Sequence, residues 1–139
     1  MRGGIEEALR ICYFYHRGQL DKAGDPYYLH PITVALRLEG EEERITALLH
    51  DTIEDTELEL EDLRRFGFSE NVIEAVRLLT RNGGDYLEYI SRLKGNSLAR
   101  AVKIEDLRHN LDLSRLAEIT ERDLRRAAKY RKALEILTE

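Results

Sequence analysis

Ala47-Leu48-Leu49-His50-Asp51-Thr52-Ile53-Glu54-Asp55-Thr56 carries an apolar helical segment straight into one histidine and three carboxylates. Crowding Asp51, Glu54 and Asp55 together costs like-charge repulsion, so a positive partner is expected. The adjoining histidine makes a metal ion the first candidate. Acidic runs are more often solvated helix faces, and that reading suits Glu57, Glu59, Glu61 and Asp62. It accounts poorly for His50-Asp51 at the end of Ile45-Thr46-Ala47-Leu48-Leu49.

Working outward, the apolar residues keep helical rather than alternating spacing. Ile5, Leu9, Cys12, Tyr13 and His16 predict a first helix from about Ile5 to Leu20. Gly24 and Pro26 make the segment from Asp21 to Leu29 a loop. Pro31 is tolerated in a first helical turn, opening a helix that stops near Gly40, and Glu41 to Leu49 gives another. Leu58, Leu60, Leu63 and Phe66 mark a short helix closed by Gly67. Ser69, Asp85 and Thr120 are expected N-caps, and a long helix runs from Ser97 to about Leu111. No alternating strand, internal repeat or low-complexity linker is found. The fold class is all-α, a compact bundle of about seven to eight short helices.

At 139 residues the chain is expected to be one domain over 1–139. The 42% apolar and 35% charged shares fit a soluble helical protein. No apolar run approaches the roughly 20 residues of a membrane span, and no apolar stretch follows Arg2, so neither membrane association nor secretion is expected. The net charge of −5 argues against a nucleic-acid partner and leaves a small phosphorylated substrate open. Cys12, the single cysteine, sits in an apolar helical pattern and reads as a buried thiol in a reducing cytoplasm. Apolar helices permit a homo-oligomer without requiring one.

Three of the four histidines have informative neighbours: His30 before Pro31, His50 before Asp51, and His109 before Asn110 after Asp106. Each alone is more often a hydrogen-bonded structural residue. Together with carboxylates they make a nitrogen–oxygen donor set suited to Mn²⁺, Fe²⁺ or Zn²⁺ rather than Ca²⁺ or Mg²⁺. His16 reads as a packing residue, and Tyr27 and Tyr28 as packing residues able to cover a base. Lys103, three residues before Asp106, faces roughly the same way, with an ordinary helix-surface cation as the competing reading. Asn110, four after Asp106, shares its helix face, as either a ligand contact or a buried amide.

The strings Lys22-Ala23-Gly24-Asp25-Pro26-Tyr27-Tyr28-Leu29-His30-Pro31, His50-Asp51-Thr52-Ile53-Glu54-Asp55-Thr56 and Lys103-Ile104-Glu105-Asp106-Leu107-Arg108-His109-Asn110 occur in one order over most of the chain. In this the chain resembles the HD-domain metal-dependent phosphohydrolases, and among them the hydrolase domain of the RelA/SpoT-type (p)ppGpp enzymes and the small alarmone hydrolases. The resemblance implies a Mn²⁺ ion, or another divalent transition metal, on His30, His50, Asp51 and Asp106. It implies catalysis by Glu54 and Asp55, with Glu54 expected as the base and Asp55 orienting water or substrate. It places Lys22 by substrate phosphates and Asn110 by the nucleotide, and gives no ligand role to His109. The implied reaction removes the 3′-pyrophosphate of guanosine 3′,5′-bis(diphosphate). At this length neither a synthetase nor a regulatory domain is expected.

The resemblance breaks at two places. Asp21 stands where the family has an arginine stacked on guanine, and a carboxylate cannot supply cationic stacking. Leu111-Asp112-Leu113-Ser114 replaces a segment in which the family has an arginine and a threonine near the nucleotide. Two alternatives follow: the same chemistry on another nucleotide or phosphoester, and a non-catalytic nucleotide- or partner-binding helical module. The intact Glu54-Asp55 pair weighs against the second.

Overall fold

The computed structural model describes residues 3–139, so Arg2 lies outside it. Helices run as α1 (Ile5–His16), α2 (Leu29–Leu36), α3 (Glu41–Leu49), α4 (Thr52–Asp55), α5 (Leu60–Arg65), α6 (Glu70–Leu79), α7 (Tyr86–Lys94), α8 (Ser97–Asn110) and α9 (Glu121–Thr138). A 3₁₀ turn, Leu113–Arg115, lies between the last two. The architecture is all-α; among the described residues the one extended pairing is an isolated bridge, Leu20 with Pro26. Among the described residues no helix is long and apolar enough to cross a membrane.

The caps fall where side-chain oxygens can reach backbone donors. The side chains of Ser69, Asp85, Asn96 and Thr120 accept from the amides of Val72, Glu88, Ala99 and Asp123. α1 stops at His16, short of the expected Leu20, because Arg17 leaves the helical region and Gly18 takes φ 89°, a conformation that suits glycine. Gln19 N then bonds back to His16 O at 3.0 Å. The turn holding Glu54 and Asp55 is a separate short helix, α4, whose N-terminal flank is Asp51.

α3 is the axis. Ile45, Thr46, Ala47, Leu48 and Leu49 are buried one after another, so this helix has no solvent face along that stretch. α1, α2, α6 and α8 pack around it, with Ile11, Cys12, Val34, Val76 and Val102 in the core. A helix enclosed this way has its C-terminal end fixed from several sides. That end delivers His50.

Candidate metal centre and adjoining cavities

His50 ends α3, and its ring Nδ1–H donates to the carbonyl of Ala47. That bond sets the tautomer: in the neutral ring Nε2 carries the lone pair. Nε2 is buried, lacks a properly aligned hydrogen bond, and faces Asp51 Oδ2 at 3.1 Å and Asp106 Oδ1 at 3.5 Å. A lone pair aimed at two carboxylates is repulsive unless a proton or metal ion lies between them. Burial opposes the imidazolium, yet Asp51 and Asp106 outweigh it and hold His50 well above the ordinary histidine range.

His30 arrives on the first turn of α2, beside Pro31. Its Nε2 lies 2.7 Å from Asp106 Oδ1, and its Nδ1 lies 2.7 Å from Nδ1 of His109. The facing His109 ring is held neutral, its pKa lowered to about 4 by burial and then by His30. A neutral His109 with its proton on Nε2 can accept from His30 Nδ1–H, freeing His30 Nε2 as a second donor atom. One donor atom each of His30, His50 and Asp106 lies within 4.8 Å of the others, all buried and from three helices. Burial disfavours the Asp106 carboxylate, but Lys103 and then the two histidines hold its pKa well below the usual value.

This cluster fits a divalent ion on its donors: two imidazole nitrogens and a carboxylate oxygen, with the unsatisfied Nε2 of His50 pointing at their common centre. Asp51 stands at its edge. Burial raises its carboxyl, the His50 charge more than compensates, and the Tyr27 hydroxyl donates to Oδ2. Tyr27 therefore acts as a second support, reaching Asp51 from the turn before His30.

Glu54 and Asp55 follow on α4. Glu54 Oε1 accepts from the amide of Arg81 at 2.6 Å. Asp55 is the less restrained carboxyl, pushed up to about 6 by burial and then by Asp51 and Glu54. Lys103 Nζ pairs with Asp106 Oδ2 at 2.9 Å, and Asn110 Nδ2 donates to Asp106 Oδ1 at 3.1 Å. Both hold the aspartate while also lining cavity wall. His16, buried, meets Gln19 Oε1 at 3.0 Å, and Gln19 Nε2 reaches Asp55 O, tying the end of α1 to α4.

Two cavities meet at His30, Tyr27, Asn110 and Tyr130. The polar one, about 210 Å³, holds Glu54 and Asp55 with Arg81, Lys103 and Lys129. Arg81 and Lys129 lie 5.1 and 4.6 Å from the Tyr86 ring centre. The other, about 280 Å³, runs from Lys22 past Leu113 and Arg115 to Ala127 of α9. Arg81, Arg115, Lys129 and His109 as a partner of His30 carried no local signal in the sequence. Arg81, Arg115 and Lys129 reach the cavity walls, and His109 reaches His30, only through the packing of α6, α8 and α9.

No family model matches the chain. It is 49% identical over 65 residues to GTP pyrophosphokinase of Streptomyces coelicolor, covering 44% of this chain and 8% of that one. Over 84 residues it is 40% identical to guanosine-3′,5′-bis(diphosphate) 3′-pyrophosphohydrolase of Aquifex aeolicus, covering 57% and 12%. The chain thus spans about a tenth of the length of these curated relatives. A solved metazoan orthologue of SpoT, described as hydrolysing ppGpp, superposes with a TM-score of 0.77 at 27% identity, covering 94% of this chain and 82% of that one.

Proposed function

We propose, for a chain homologous to the RelA/SpoT-type enzymes and sharing the all-α fold of a SpoT orthologue, that residues 1–139 form one hydrolase unit removing the 3′-pyrophosphate of guanosine 3′,5′-bis(diphosphate). The observation that carries this is the convergence of His30, His50 and Asp106 from three helices beside the Glu54–Asp55 pair, where two cavities join. Similarity to a named 3′-pyrophosphohydrolase supports the substrate.

His30, His50, Asp51 and Asp106 would hold a divalent ion, and Mn²⁺ matches this mixed donor set. When bound, such an ion polarises a phosphoryl oxygen and makes water a stronger acid. The chain's own residues do the rest. The Glu54–Asp55 pair accepts the one proton of the attacking water, with Glu54 tethered by the Arg81 amide and the Asp55 carboxyl pushed up to about 6. The water oxygen bonds to phosphorus, the bond to the ribose 3′-oxygen breaks, and that oxygen takes a proton, giving GDP and pyrophosphate. Arg81 and Lys129 line the cavity that would take the pyrophosphate, Lys22 lies in the adjoining cavity as the cation read for the substrate phosphates, and Asn110, shared by both, borders the nucleotide. Lys103 acts mainly by holding Asp106. The buried thiol of Cys12 supports a reducing, cytoplasmic setting.

The test is a nucleotide panel with Mn²⁺, reading pyrophosphate and inorganic phosphate separately. Pyrophosphate from ppGpp, lost in His50→Ala and Asp106→Ala together with bound metal, is the expected result. Turnover of another nucleotide with none of ppGpp would reject this substrate, and metal and nucleotide binding without any turnover would reject the enzyme.

A further inference from the structure

Asp21 is not the bare anion in the nucleotide path that its sequence position suggests. Its Oδ1 accepts from the amides of Ala23 and Asp25, each at 2.9 Å, closing the loop on itself. Its Oδ2 lies 3.4 Å from Nη1 of Arg115, whose side chain is 34% exposed, against 14% for Asp21. Arg115 comes from the 3₁₀ turn after α8, far away in sequence, and both residues line the larger cavity. The cavity wall offers apolar surface from Leu20, Leu113, Leu116 and Ala127, with His30 of the metal cluster at one end. A flat heterocycle fits such a wall, and its phosphorylated ribose can reach the cluster.

We propose that Arg115, anchored by Asp21, selects guanine over adenine in this cavity. The proposal rests on the nucleotide reading above and names the residue that sets its base preference. Arginine presents paired N–H donors in a fixed plane. The O6/N7 edge of guanine offers two acceptors to such a fork, whereas adenine sets an amino donor beside N7. Asp21 has spent its Oδ1 on the loop, so its remaining oxygen restrains the guanidinium instead of meeting the phosphates. The cation missing at position 21 is thereby resupplied from position 115.

The experiment measures binding of GDP and ADP to the Mn²⁺-loaded protein by calorimetry, alongside kcat and KM for ppGpp and its adenosine counterpart. Wild type should prefer GDP. Arg115→Gln should cut the guanine-over-adenine ratio about tenfold or more, because glutamine matches adenine better. Arg115→Lys should not restore it, and Asp21→Asn should move it the same way by less. Metal content should be unchanged, while KM for ppGpp rises. An unaltered ratio in Arg115→Gln, or no preference in wild type, overturns the proposal. The binding arm reads base selection even without turnover, so failure to hydrolyse ppGpp would count against the hydrolase reading alone.

Discussion

At the scale of single residues, the centre depends on which nitrogen of each histidine holds its proton. His109 is expected to matter without touching the ion, because it accepts from His30 Nδ1. His109→Asn places an amide oxygen near the lost Nδ1, whereas His109→Leu removes the acceptor. Calorimetry with Mn²⁺ should show about 10- to 100-fold weaker binding for leucine and substantial recovery for asparagine. Equal affinity in all three proteins would remove His109 from the centre. Asp55 gives a pH signature. Its folded pKa, about 6, lies above the ordinary 3.8, so the folded state binds this proton more tightly than the unfolded one. The metal-free protein therefore loses stability as pH rises between those values. Asp55→Asn should melt higher than wild type at pH 7 in EDTA, and the gap should close near pH 3. Its activity should be lost, since a neutral amide cannot accept the proton. A gap that persists at pH 3 would point to repacking rather than relieved charge.

At the scale of helices, the caps show what the sequence can and cannot disclose. Ser69, Asp85 and Thr120 were legible because a cap is a local bargain between one side chain and an amide two or three residues on. The end of α1 was less so: the Ile5–Leu20 pattern gave no sign that Gly18 would turn the chain before Leu20. Likewise His30, His50 and Asp106 stood out from their neighbours, whereas Arg81, Arg115 and Lys129 look like surface cations until the packing of α6, α8 and α9 sets them on the walls of the two cavities. α9 supplies Ala127 and Tyr130 to the cavities, so its start bears on the site. Thr120 and Asp123 exchange hydrogen bonds there. Thr120→Ala should cost about 1 kcal/mol in urea unfolding and leave metal affinity intact, since no donor atom lies on α9. A loss of metal affinity would mean that α9 holds the centre as well as the cavity.

At the scale of the whole molecule, the donors of the centre join α2, α3 and α8, and the ion should act as a strut across the core. A ligand that binds only the folded state stabilises it by about 2.7 kcal/mol at a concentration one hundred times Kd. Mn²⁺ at that level should raise Tm by several degrees and EDTA should reverse it, while His50→Ala should be insensitive to both. A Tm indifferent to Mn²⁺ and chelator in wild type would reject the strut. α1 contributes no donor atom to that cluster, yet it closes one side of α3 and carries Cys12, fully buried, its thiol pushed up to about 12 by burial and then by Asp51. With one cysteine in the chain, reaction with a thiol reagent is a clock for the departure of α1 from α3. If α1 peels away by itself, Mn²⁺ leaves the labelling rate unchanged; if the core opens as one cooperative unit, the clock slows by the same factor as global unfolding. The molecule thus carries its own gauge of whether the half that holds the His30–His50–Asp106 cluster and its first helix rise and fall together.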